Sequence, residues 1–235
     1  MTAPIGFGDE SLALVHRIRR PLDADAAGTP PVLVLLHGVG SDERDLLSLA
    51  PHLDPRFLLL SVRSPVRLEQ GGYGWYRVTF TPRGSVMDEE EAAAGLRALT
   101  EFVRGVPAAY GADANRVYMA GFSQGAIMSL ALLLTEPELV AGAALMSGRL
   151  LPGVRERIAR PESRLAGKPV VAVHGLHDPV LPISDGRAIR ELLSSLPVRL
   201  TYREFPMAHE VSQESFAVVR DWLTERLDEG AMTGR

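Results

Sequence analysis

Short apolar runs alternating with longer stretches of helical period constrain this chain more than any other feature. Val32 to Leu36, Phe57 to Val62, Val117 to Ala120, Ala141 to Met146 and Val170 to Val173 are apolar nearly throughout. A strand that is apolar on both sides has both faces covered, which is the condition of a mostly parallel sheet between two helical layers. Two further strands are expected at Leu12 to Ile18, where polar and apolar residues alternate as at a sheet edge, and at Arg199 to Phe205. Between them the periodicity predicts helices near Glu43 to Ala50, Asp88 to Tyr110, Gln124 to Leu134, Ser184 to Leu196 and Ser212 to Asp228. Asp88, Ser184 and Ser212 are the expected N-caps, and Gly230 the expected stop of the last helix. The fold class is α/β, read as one domain over residues 1–235 with helices on both faces and no separate lid domain. Asp23 to Pro31 reads as a surface loop, and Ser64 to Ser85 and Ser147 to Lys168 as long irregular segments. Loops of that length in a compact domain tend to be functional or mobile.

Composition removes several function classes. With 235 residues, 46% of them hydrophobic, the chain can bury a large core. A formal charge of −4 on interspersed acids and bases gives no basic stripe, so nucleic acid is not an expected partner. Glu89, Glu90 and Glu91 read as the acidic first turn of a helix. The absence of cysteine rules out a disulfide framework, a thiolate nucleophile and cysteine-ligated metal. His174, His177 and Asp178 lack a convincing third-ligand pattern, and no phosphate-binding glycine motif occurs, so no metal and no cofactor is expected. No leader-like N-terminus and no run of about 18 apolar residues is present, so the expectation is a cytoplasmic protein without integral membrane association.

The chemistry centres on Gly121-Phe122-Ser123-Gln124-Gly125, between the run Val117 to Ala120 and the helical stretch from Ala126. A serine so placed sits on a sharp strand-to-helix turn, with its hydroxyl above the sheet at a helix N-terminus. A serine nucleophile needs a base, and the base needs a third group to hold its tautomer. Asp178 follows the strand Val170 to Val173, and His209 follows the strand ending at Phe205. Both therefore fall at carboxyl ends of strands, the edge where Ser123 stands and where open α/β sheets collect ligands. His174 and His177 compete with His209 as the base, and Asp185 competes weakly with Asp178 as the acid. His37 reads as a loop-shaping residue, while His16 and His52 read as surface residues. The N–H groups of Gln124 and Val39 are the expected oxyanion donors, Gly38 and Gly40 letting that backbone approach the substrate. Trp75, Tyr76 and Phe80 either line an acyl pocket or pack down their own loop.

Leu36-His37-Gly38-Val39-Gly40, the elbow at 121–125, His174-Gly175-Leu176-His177-Asp178-Pro179-Val180-Leu181-Pro182 and His209 together resemble the phospholipase/carboxylesterase family of α/β-hydrolases. The resemblance covers the chain from Val32 to the last helix. It implies the α/β-hydrolase fold and a cofactor-free serine hydrolase of short to medium acyl esters, thioesters or lysophospholipids. Ser123 takes the nucleophile role, Asp178 the acid and His209 the base, with Val39 and Gln124 at the oxyanion positions. Trp75, Tyr76 and Leu181 are the substrate contacts it implies, and a small-molecule ester or thioester the partner. Members often dimerise, so a homodimer is compatible with it. Ala126 stands where a glycine is usual after the elbow, and Ala208-His209-Glu210 where Gly-His is usual. A peptidase or acyltransferase using the same three side chains, and a silent hydrolase-like binding protein, are the alternative readings.

Overall fold

The computed structural model describes residues 5–22, 28–81 and 84–233, and their side chains except at 80–85 and 230–233. The chain begins with β1 (Ile5–Phe7), β2 (His16–Arg19), β3 (Val32–Leu36) and β4 (Leu58–Val62). Two short hairpins follow, β5 (Val66–Arg67) with β6 (Tyr73–Gly74), and β7 (Val78–Thr81) with β8 (Gly84–Met87). Then come α1 (Glu89–Tyr110), β9 (Val117–Phe122), α2 (Gln124–Thr135), β10 (Gly142–Met146), β11 (Pro169–Gly175), α3 (Ile183–Ser194), β12 (Arg199–Phe205) and α4 (Gln213–Thr233).

Eight strands form one sheet in the order β1-β2-β4-β3-β9-β10-β11-β12. β1 and β2 run antiparallel, and every pairing from β4 to β12 is parallel. Register aligns the carboxyl ends: Leu36 pairs with Gly121, Phe122 with Met146, Met146 with Val173 and Gly175 with Phe205. The loops that leave β3, β9, β10, β11 and β12 therefore open on the same edge.

Side-chain alternation divides the core in two. Val32, Val34, Leu36, Val117, Met119, Ala143, Leu145, Val170 and Ala172 face α1, α2 and α3. Leu33, Leu35, Tyr118, Ala120, Ala144, Met146, Val171 and Val173 face α4 and the 3-10 turn Leu46–His52. The period of two is that of a pleated strand, and each valine, leucine or methionine among them contributes about 1.5 to 3 kcal/mol on burial. Asp88 caps α1, its carboxylate accepting the Glu91 N–H at 3.0 Å. Ser212 likewise accepts the Ser215 N–H at 3.2 Å before α4. Among the described residues no helix is long and apolar enough to cross a membrane.

Several expectations are corrected. The segment Leu12 to Ile18 is a strand only from His16, and β1 forms the sheet edge instead. His16 is buried at 3% exposure, between the Leu14 carbonyl at 2.8 Å and the Tyr110 hydroxyl at 2.6 Å. Its position shares the inward parity of Leu14 and Ile18. The helix expected at Glu43 to Ala50 is the 3-10 turn Leu46–His52, which contains Pro51. Pro51 has no amide N–H to donate, which weakens an α-helical ladder over so short a segment. α3 starts at Ile183 after Pro182, so Ser184 is inside the helix and not its cap. α4 continues past Gly230 to Thr233. Ser64 to Ser85 is built of the two hairpins rather than irregular chain. Within the expected surface loop, residues 23–27 lie outside the described residues, as does the side chain of Phe80.

Candidate active site

Ser123 stands between β9 and α2 with φ 54° and ψ −119°, a conformation that only a tightly held turn imposes on a residue with a side chain. Two glycines make the turn. A Cβ on Gly121 would lie 2.3 Å from the Gly125 carbonyl carbon, and one on Gly125 would lie 1.9 Å from the Leu36 carbonyl oxygen. The Ser123 N–H donates to the Met146 carbonyl at 3.0 Å, tying the turn to β10. Gly38 closes the other side, a Cβ there being 3.2 Å from the Ser123 Cβ.

Three elements deliver three side chains to one point. His209, in the loop after β12, has Nε2 2.9 Å from the Ser123 hydroxyl and Nδ1 2.7 Å from Asp178 Oδ2. The other carboxylate oxygen of Asp178 accepts the N–H groups of Val180 at 2.9 Å and Leu181 at 2.8 Å. Its side chain is wholly buried, whereas the His209 side chain keeps 14% exposure. Phe122 lies against the imidazole with ring centroids 4.9 Å apart.

The competing residues make other contacts. His174 is buried, its Nε2 bonding the Leu181 carbonyl at 2.8 Å and lying 3.6 Å from Asp178 Oδ2, which shapes the Asp178 loop, and His177 is exposed. Asp185 is half-buried in the first turn of α3, where burial pushes its carboxyl up and Arg149 pulls the other way. His37 is buried, its Nδ1–H donating to the Gly38 carbonyl at 2.7 Å and its Nε2 accepting the Ser64 N–H at 3.1 Å. Burial holds its imidazole below the usual histidine range. His52 is exposed.

A cleft of about 370 Å³ opens over Ser123, bounded by Val39, Gln124, Tyr76, Arg149, Val180 and Leu181 among others. Gln124 is the first residue of α2, so its N–H has no intrahelical acceptor. Val39 is on the loop after β3, 46% exposed at the rim. Trp75, an expected substrate contact, is fully buried and is not on the cleft wall, whereas Tyr76 and Leu181 are. The Trp75 ring packs against Gly95 of α1, whose missing Cβ would lie 3.4 Å from it.

Two contributions escaped the sequence reading. The Gln124 amide accepts the Trp75 N–H at 2.8 Å and donates to the Tyr76 carbonyl at 2.9 Å, pinning the chain after β6 onto the elbow helix. Arg149 enters the cleft from the chain leaving β10. Its place just past a strand expected to end at this edge was the available sign. Ala126 fits because Gly148 opposes it, a Cβ at Gly148 lying only 2.9 Å from the Ala126 methyl.

Comparison with known proteins agrees with this architecture. The family model described as Phospholipase/Carboxylesterase matches residues 24–227. The putative hydrolase MhqD of Bacillus subtilis is 29% identical over 83% of this chain and 94% of its own length. Esterase YpfH of Escherichia coli is 30% identical over 70% of this chain and 68% of its own. The Bacillus cereus carboxylesterase structure superposes with a TM-score of 0.77 at 28% identity, covering 90% of this chain and 94% of that one. The chain therefore belongs to the phospholipase/carboxylesterase family, has the α/β-hydrolase fold, and is a hydrolase of the carboxylesterase and thioesterase type.

Proposed function

We propose that the protein hydrolyses carboxylic esters of short to medium acyl chains through Ser123, His209 and Asp178. The hydrogen-bonded line from the Ser123 hydroxyl through His209 to Asp178, at 2.9 and 2.7 Å, is the observation that carries this reading. With Nδ1–H donated to Asp178, the lone pair of Nε2 faces the serine and can take its proton as the oxygen attacks the carbonyl carbon. Asp178 holds the imidazole in that tautomer, and the backbone N–H groups of Val180 and Leu181 hold Asp178. Negative charge on the former carbonyl oxygen is met by the N–H groups of Gln124 and Val39. His209 then protonates the leaving alcohol or thiol, the acyl group stays on Ser123, and water activated by the same histidine releases the acid.

The cleft size supports a small substrate. About 370 Å³ falls near the lower end of small-molecule sites, which suits an ester of modest length. Tyr76, Ile127 and Leu181 give it apolar walls. A series of p-nitrophenyl esters from acetate to dodecanoate, with Ser123→Ala as the blank, tests the reading. The expected result is Ser123-dependent turnover with an optimum at short or medium length. Equal hydrolysis by the blank would remove Ser123 from the reaction, and an optimum at the longest chain would reject the proposed substrate size.

A further inference from the structure

Arg149 reaches the cleft by a constrained route. The chain leaves β10 through Ser147, whose φ of 51° lies in the left-handed region that side chains rarely occupy. Gly148 then packs against the start of α2, with no room for a side chain there. Non-glycine residues held in that region persist only where the surroundings over-determine them, and they gather at functional sites. The outcome is a guanidinium on the wall of the cleft that also holds Ser123.

The surroundings leave that cation without a carboxylate of its own. Its charge lies near the hydroxyl of Tyr76, a side chain only 1% exposed that also lines the cleft. Burial pushes the Tyr76 phenol up, and the Arg149 charge opposes that shift. Asp185 feels the same charge, yet among the described residues no carboxylate forms an ion pair with Arg149. The other arginine on the cleft, Arg77, is paired with Glu91 at 2.7 Å. Glu69 stands on the exposed rim. A hydrolase acting only on plain alkyl esters gains nothing from a half-buried guanidinium beside its nucleophile. One acting on esters that carry an oxyanion gains orientation and affinity, because the guanidinium fork matches a carboxylate bidentately.

We propose that Arg149 is a specificity-determining residue that binds a carboxylate carried by the ester substrate, alongside the bond cleaved at Ser123. The proposal rests on the serine-hydrolase reading above. Tyr76 and Arg149 share the wall of the cleft that holds Ser123.

The test uses the full chain, as wild type, Arg149→Met and Arg149→Lys. One arm compares p-nitrophenyl hydrogen glutarate with p-nitrophenyl pentanoate, placing the carboxylate on the acyl side. The other compares 3-acetoxybenzoate with phenyl acetate, placing it on the leaving group. The readout is the ratio of kcat/KM for the anionic ester over its neutral partner. In one arm that ratio is expected to exceed one in the wild type, to fall about 10- to 100-fold in Arg149→Met, and to recover in part in Arg149→Lys. A role confined to propping Tyr76 would move both esters together and leave the ratio fixed, and a fixed ratio in both arms overturns the proposal. Glutarate binding to Ser123→Ala, with and without Arg149→Met, reads the site without turnover. Binding weakened about tenfold or more supports it, and equal binding overturns it. A wild type inert toward every ester would instead reject the hydrolase reading, and the binding arm would then decide the carboxylate site alone.

Discussion

The side chain of Gln124 accepts the backbone N–H of Trp75 at 2.8 Å, so the residue after the elbow serine also fixes the wall of the cleft. Its amide nitrogen reaches the Tyr76 carbonyl at 2.9 Å, and Gln124 is itself 3% exposed. Gln124→Leu would leave a buried donor and a buried acceptor unpaired, at about 1 to 3 kcal/mol each. A loss of about 2 to 5 kcal/mol in urea unfolding is expected, with a raised KM as Tyr76 loosens. A Gln124→Leu variant as stable as wild type would show that water replaces both bonds.

Gly148 and Ala126 are a matched pair. Gly148→Ala would place two methyl carbons 2.9 Å apart, closer than van der Waals contact allows, and overpacking of this kind costs about 1 to 3 kcal/mol. Adding Ala126→Gly should restore most of that loss. A double-mutant cycle measured by denaturant unfolding should give a coupling of about 0.5 to 3 kcal/mol. Additive effects would mean that the two positions do not share the space.

Glu43 sets an acid limit on stability. Its buried carboxylate accepts two bonds from Arg63, at 2.7 and 2.8 Å, which hold its carboxyl below the usual glutamate range. A carboxyl with a folded value below its unfolded value stabilises the fold at pH above about 4.3, and that stability is lost as pH falls through the folded value. Glu43→Gln should therefore cost about 2 kcal/mol at pH 7, less than a fully buried pair because Arg63 keeps 30% side-chain exposure. The gap between the two proteins should close progressively below about pH 4. A gap that is constant from pH 7 to pH 3 would exclude this pair as its source.

Asp178→Asn should leave the fold intact and invert the proton arrangement. The N–H groups of Val180 and Leu181 select the amide oxygen for their side, which turns the NH2 toward His209 Nδ1. Nδ1 must then accept, and Nε2 carries a proton facing Ser123, where it cannot act as a base. Turnover is expected to fall on the order of ten thousandfold, with thermal unfolding near the wild-type midpoint. Near-normal turnover would assign the third role to another group.

Much of this site was legible because its parts are local patterns at strand ends. The elbow needs two glycines at fixed spacing, and Asp178 and His209 each follow an apolar run, so the three side chains that the fold brings together with Ser123 at its centre are visible in the sequence as candidates. Folding then had only to register β9, β11 and β12 in parallel. What stayed hidden depends on contacts distant in sequence. Trp75 looked like a pocket aromatic because its loop is long, but Gly95 of α1 leaves room for its ring in the core. The hairpins of 66–87 are too short for a periodicity of their own. His16 looked exposed by residue type, although its alternation with Leu14 and Ile18 pointed inward. Arg149 carries no local motif beyond its place just past a strand, and the convergence of the loops after β9, β10 and β11 sets it on the cleft with Ser123.

The central claim, that Ser123 is the nucleophile activated by His209, is tested most directly by treating the protein with a fluorophosphonate and locating the adduct by peptide mass spectrometry. The account predicts stoichiometric loss of esterase activity with a single adduct on Ser123, and no adduct in His209→Ala on the same timescale. An adduct on any other residue, or undiminished esterase activity after Ser123 is fully modified, would contradict it.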